Sequence, residues 1–147
     1  MPHQPEHPAP LVPGWVKSGE AHHIRIRAES FTPLPLTDKQ MAPALLESAG
    51  LHHGIARWYC HLFLLMPDHV HALLFFPPDR KMREVVGDWK QTQTKQHRIQ
   101  WQGNFYEEPI SHGPELTGKA LHIRRNPVIK GLCAKESDWP WILGYPV

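Results

Sequence analysis

The run Leu65-Met66-Pro67-Asp68-His69-Val70-His71-Ala72-Leu73-Leu74 reads as the end of one strand, a tight turn and the start of another. Side chains alternate faces along a strand, so His69 and His71 point the same way while Val70 points into the opposite layer. Pro67 fixes φ, and Asp68 can bond its own backbone. Trp58 to Leu65 and His69 to Phe76 are therefore expected to form two antiparallel strands joined by a short turn. Two imidazoles on one strand face can hold one metal ion. His-x-His pairs also arise by chance, and 12 His in 147 residues offer many chances. His22-His23 and His52-His53 are adjacent pairs whose members diverge on a strand, and they read as ordinary surface or loop histidines.

A chain of 147 residues is long enough for one domain with a buried core. The predicted order is a strand over 22–29, a helix over 38–49, the hairpin, a helix over 80–97, a strand over 99–107 and a final helix over 114–125. Thr37-Asp38 and Gly50 are plausible ends for the first helix, with Pro43 counting against it. In the second helix Met82, Val85, Val86 and Trp89 recur at helical spacing. Strands interleaved with helices around a hairpin imply an α+β fold, with the helices mainly on one face of the sheet. Residues 1–19 hold Pro2, Pro5, Pro8, Pro10 and Pro13 and no cationic segment followed by an apolar core, so they read as a disordered or extended leader rather than a signal peptide. The single domain is expected over 20–147. No apolar stretch reaches membrane-spanning length, and Cys60 and Cys133 fit no CxxC spacing, which suits a reduced, cytoplasmic setting.

Net charge is only +2, too mild to announce a nucleic-acid partner by itself, but the basic residues are grouped. Lys90, Lys95 and Arg98 lie in or just after the second helix, and Arg124 and Arg125 in the last. Solvated surface is the bland reading, and phosphate contact the functional one; the run from Lys90 to Gln96 carries only side chains able to bond a DNA backbone. Of six tryptophans, Trp101 is the one considered for stacking on a base, while most are expected to be core, Trp58 and Trp89 on apolar faces and Trp139 and Trp141 in a cap over the last helix.

Three segments taken together, Met66-Pro67-Asp68-His69-Val70-His71, Trp101-Gln102-Gly103-Asn104-Phe105-Tyr106-Glu107 and Leu121-His122-Ile123-Arg124-Arg125-Asn126-Pro127, resemble the REP-associated tyrosine transposases, relatives of the single-tyrosine HUH transposases of insertion sequences. The resemblance covers roughly residues 20–145. It implies a ferredoxin-like antiparallel sheet, a homodimer, binding of hairpin-forming single-stranded DNA, and metal-dependent cleavage and strand transfer. It also implies that His69, His71 and Asn126 bind a divalent metal, Mg²⁺ or Mn²⁺. The family's nucleophilic tyrosine stands four residues before the third ligand, on one helix face. Here that position is His122. Imidazole is a nucleophile and base in principle, so three readings follow: a strand-transfer enzyme, a DNA-binding relative with impaired cleavage, and a metal-dependent hydrolase of another phosphoester. Among the tyrosines, Tyr59 and Tyr106 read as structural and Tyr145 as part of a mobile tail, with Tyr106 ranked above Tyr145 as a substitute nucleophile.

Overall fold

The structure, a computed structural model, describes residues 12–147. Five strands form one antiparallel sheet: β1 Ala21–Arg27, β2 Tyr59–Leu65, β3 His69–Phe75, β4 Tyr106–Ile110 and β5 Ile142–Leu143, in the order β4-β1-β3-β2-β5. Helices α2 Met41–Gly54 and α3 Met82–His97 connect β1 to β2 and β3 to β4. This is the split β-α-β arrangement of a ferredoxin-like fold, with β3 inserted between the two strands that α2 joins. A further helix, α4 Pro114–Ile129, follows β4, and a short helix, α1 Gly14–Lys17, precedes β1.

The hairpin forms as its residues require. Met66 donates its N–H to the His69 carbonyl at 2.8 Å, closing the Pro67-Asp68 turn. All seven residues of β3 are buried, because β3 is central and covered on both faces. The histidine pair thus opens an interior strand.

Register separates the two faces of the sheet. Ile24, Ala72 and Phe63 are cross-strand neighbours on one face. Trp89 of α3 lies edge-on to Phe63 at 5.2 Å, and Trp58 is tilted against both. α2 joins this layer through the Trp58 indole N–H, which donates to the Ala49 carbonyl, and through Gln93 of α3, which donates to the Ser48 hydroxyl. Two of the three long helices therefore share one face, as expected, and α4 alone covers the other, through Leu116, Ala120, Ile123 and Pro127.

Several boundaries differ from expectation for local reasons. α2 begins at Met41, whose N–H is accepted by the Asp38 carboxylate at 3.0 Å. Pro43 then falls in the first turn, where its missing N–H has no helical partner to lose. Gly50 lies inside α2, where an added Cβ would stand 3.5 Å from the Tyr145 hydroxyl. The strand foreseen over 99–107 is an isolated bridge from Trp101 to Ala28, followed by β4. α4 runs on to Ile129, with Pro127 buried within its last turns. Within the expected leader, residues 12–19 include α1, with Val16 fully buried and Trp15 packed on the core; residues 1–11 lie outside the described residues.

Candidate functional site

The face covered by α4 carries the polar groups. Cross-strand pairs place Arg27 beside His69, Arg25 beside His71 and Tyr106, and His23 beside Glu108. Residues paired in this way share a face. His69 and His71 stand with ring centroids 4.8 Å apart and are 6% and 8% exposed.

Each of the two histidines is held at Nδ1. The Asp68 carboxylate accepts from His69 Nδ1 at 2.7 Å, and His71 Nδ1 lies 3.0 Å from His23 Nε2 with the two rings stacked. When His71 carries its proton on Nδ1 and donates to His23, both members of the pair keep Nε2 as a free lone pair. Orientation of a histidine through its other nitrogen is the usual support of a metal ligand. Burial keeps the imidazoles neutral: desolvation first, then the neighbouring histidines and Arg25 at His71 and Lys119 at His23, lower His71 to about 3 and His23 to about 4. Desolvation also lowers His69, against the opposing pull of Asp68.

α4 lies over these groups in a definite rotation. With Leu116, Ala120, Ile123 and Pro127 turned inward, Lys119, His122 and Asn126 form a strip along one flank of that buried stripe. Lys119 reaches Glu108 at 3.8 Å, and His122 is near enough to His23 and His71 to disfavour their protonation. The expected nucleophile position therefore lies near His71 and His23, and Asn126 follows one turn later on the same strip. Among the described residues no three His, Cys, Asp or Glu side chains form a metal-holding group.

The remaining expected DNA contacts are scattered. α3 packs on the opposite face of the sheet, so Lys90, Lys95 and Arg98 do not join the histidine pair. Lys90 is turned to the Gln102 carbonyl and the Phe105 ring. Gln93, in the middle of the polar run, is fully buried. Arg125 pairs with Glu136 at 3.6 Å. Arg124 lies on the other flank of α4 from His122 and lines a groove with His61, His112 and Tyr145. Trp101 is committed internally: its indole N–H donates to the Lys90 carbonyl and its ring packs on Trp89.

Three of the histidines read as peripheral are not. His23 belongs to the cluster itself. His53 is buried on α2, accepts the Cys60 N–H at 3.0 Å and stacks on Tyr145, which is therefore pinned rather than mobile. His52 lies tilted against Trp58, with ring centroids 4.8 Å apart. Tyr59 is structural as expected, its hydroxyl donating to the Pro146 carbonyl. Tyr106 is the reverse case: it lies on the histidine face, half-exposed, under the Arg25 guanidinium. The residues missed from sequence are His23, Arg25, Arg27 and Asp68. The alternation His23-x-Arg25-x-Arg27 was the available signal, and it gains meaning only when β1 is known to pair with β3.

No family model and no curated protein matches the sequence. Solved structures do match the fold. A REP-associated tyrosine transposase bound to a REP hairpin superposes with a TM-score of 0.70 at 19% identity, over 95% of this chain and 82% of that one. A candidate transposase from Deinococcus radiodurans R1 gives a TM-score of 0.51 at 16% identity, over 84% of this chain and 98% of the other. No helix among the described residues is long and apolar enough to cross a membrane. The motif resemblance and the fold likeness, reached separately, meet in the same place: this chain has the fold of a REP-associated tyrosine transposase.

Proposed function

We propose that this protein binds hairpin-forming single-stranded DNA and presents a backbone phosphate to a divalent cation held by His69 and His71, with Asn126 as third donor. The observation that carries this reading is the paired support of the two imidazoles, His69 by Asp68 and His71 by His23, which leaves both Nε2 atoms for one ion. Supporting it are the arginines beside the pair and the fold shared with a hairpin-bound transposase. Two nitrogen donors and one amide oxygen suit Mn²⁺ better than Mg²⁺, which prefers an all-oxygen shell. When bound, the ion would neutralise charge developing on the phosphate.

The protein's own groups do the rest. Arg25 and Arg27 offer guanidiniums matched to phosphate oxygens. Asp68 and His23 fix ring orientation. α4 covers part of the sheet face and leaves the strip from Lys119 to Asn126 toward the bound strand. Strand transfer is the activity this arrangement serves, and a homodimer in the cytoplasm is the setting the family likeness suggests.

Calorimetric titration with Mn²⁺ tests the assignment. The His69→Ala/His71→Ala protein is expected to lose cation binding while keeping its far-ultraviolet circular dichroism. Unchanged affinity in the double variant would remove the site. In parallel, hairpin affinity should fall steeply with salt; absence of hairpin binding would remove the DNA role.

A further inference from the structure

Position 122 carries an imidazole, so α4 offers no phenol over the histidine pair. A phenol reaches the same cleft from the sheet. Tyr106 opens β4 as the register partner of Arg25. Its ring meets His23 edge-on at 5.7 Å, with the Arg25 guanidinium 4.8 Å above it. Its hydroxyl donates to the Glu108 carboxylate. Glu108 is in turn the register partner of His23 and pairs with Lys119, one helical turn before His122. The hydroxyl is thus delivered to the region that a residue at 122 overlooks. Tyr106 is 42% exposed, whereas Tyr59 and Tyr145 are 3% and 7% exposed and committed to packing. Beside the ring a pocket of about 220 Å³ is lined by Arg25, Arg27, Gln102, Asn104 and Tyr106. Two guanidiniums, two amides and no carboxylate make a lining for an anion.

Resting on the function proposed above, we propose that Tyr106 is the nucleophile of this protein, with Glu108 as its proton acceptor and Arg25 and Arg27 holding the phosphodiester under attack. The Tyr106 hydroxyl oxygen forms a bond to phosphorus as the bond from phosphorus to one deoxyribose oxygen breaks. The phenolic proton passes to Glu108, and the departing oxygen takes a proton from solvent. One strand end is left esterified to Tyr106 and the other ends in a free hydroxyl, with no change of oxidation state. Re-esterification by another strand's hydroxyl reverses the step and completes transfer.

His122 is the rival nucleophile, and the bond chemistry separates the two, since a phosphorus–nitrogen bond to imidazole is acid-labile and a tyrosyl phosphodiester is acid-stable. Trypsin separates them too, because Ile99–Lys119 contains Tyr106 as its single tyrosine and Ala120–Arg124 contains His122. The full chain is incubated with a labelled hairpin oligonucleotide and Mn²⁺, then resolved on native and denaturing gels and digested for mass spectrometry. The expected result is an acid-stable adduct on the Ile99–Lys119 peptide, kept in His122→Ala, absent in Tyr106→Phe, and formed on the order of 100-fold more slowly in Glu108→Gln. Tyr106→Phe should still shift the hairpin on the native gel, which shows that it is folded. An acid-labile adduct, an adduct surviving Tyr106→Phe, or hairpin binding without any adduct in the unaltered protein overturns the assignment of Tyr106 and leaves the DNA-binding reading in place. No hairpin shift by the unaltered protein overturns both.

Discussion

The two faces of the sheet are built from the same strands and do opposite work. One face, carrying Ile24, Phe63 and Ala72, meets α2 and α3 and closes into an aromatic layer around Trp58 and Trp89. The other alternates with it residue by residue, yet presents His23, Arg25, Arg27, His69 and His71, and of the three long helices α4 lies over it. Such a division teaches that the strongly apolar β3 is not wasted on solvent: Val70, Ala72 and Leu74 anchor the strand in the aromatic layer, so that the histidines between them are positioned by a rigid support. Precision on one face comes from packing on the other.

The largest test of that contrast is Trp89→Ala. Trp89 is fully buried at the centre of the aromatic layer, and its loss should cost about 3–5 kcal/mol in urea unfolding. A loss under about 1 kcal/mol would mean that the layer is not the main support of the sheet. On the polar face, His23→Leu strands the buried His71 Nδ1, so it should cost about 1–3 kcal/mol in unfolding and weaken Mn²⁺ binding roughly 10–100-fold, the usual effect of removing a residue that orients a ligand. Equal metal affinity in wild type and variant would reduce His23 to a packing residue.

A smaller effect is expected from Arg25→Ala/Arg27→Ala. If each guanidinium contacts one phosphate of a single strand, the slope of log affinity against log salt should flatten by roughly 1.4, while the melting temperature moves little. An unchanged slope would place the DNA path elsewhere on the molecule. The smallest test crosses to the α2 side. Desolvation lowers His53 to about 4, from 6.5 when unfolded. The unfolded chain then binds more protons below pH 6.5, so the stability linked to His53 is complete above that value and declines as pH falls toward 4. His53→Asn, which keeps an acceptor for the Cys60 N–H, should soften the acid side of a melting-temperature profile; an identical profile would show that His53 does not titrate with folding.

Much of this was legible in the order of residues. The hairpin and both its strands followed from Pro67-Asp68 and the alternation around it, and the spacing of Val85, Val86 and Trp89 found α3. The family resemblance singled out His122 and Asn126, helical spacing put them on one face, and they do lie on one strip of α4. What escaped was whatever depends on pairing between distant strands. His23 looks like half of an idle doublet until β1 is laid against β3, and Tyr106 looks like core until the register turns it toward Arg25. Clustered charge misled in the opposite way: Lys90, Lys95 and Arg98 are near one another in the chain, but α3 carries them to the far side of the sheet from the histidine pair. Local periodicity tells which face of an element is apolar; it does not tell which sheet face that element will cover.

The turn that opens β3 is tied to more than its own hairpin. The Ala28 N–H donates to the Asp68 carbonyl at 2.9 Å, and the Leu36 N–H to the Pro67 carbonyl at 2.8 Å. The loop leading from β1 to α2 is thereby fastened to the same two residues that aim Asp68 at His69. Its length is accordingly constrained: adding or deleting residues between Ala28 and Leu36 would displace one of those carbonyls, whereas the 111–113 connection from β4 to α4 holds no such tie to the turn. A map of where this chain accepts insertions should show a gap over 28–36, in a surface loop that would ordinarily be among the most permissive parts of a protein.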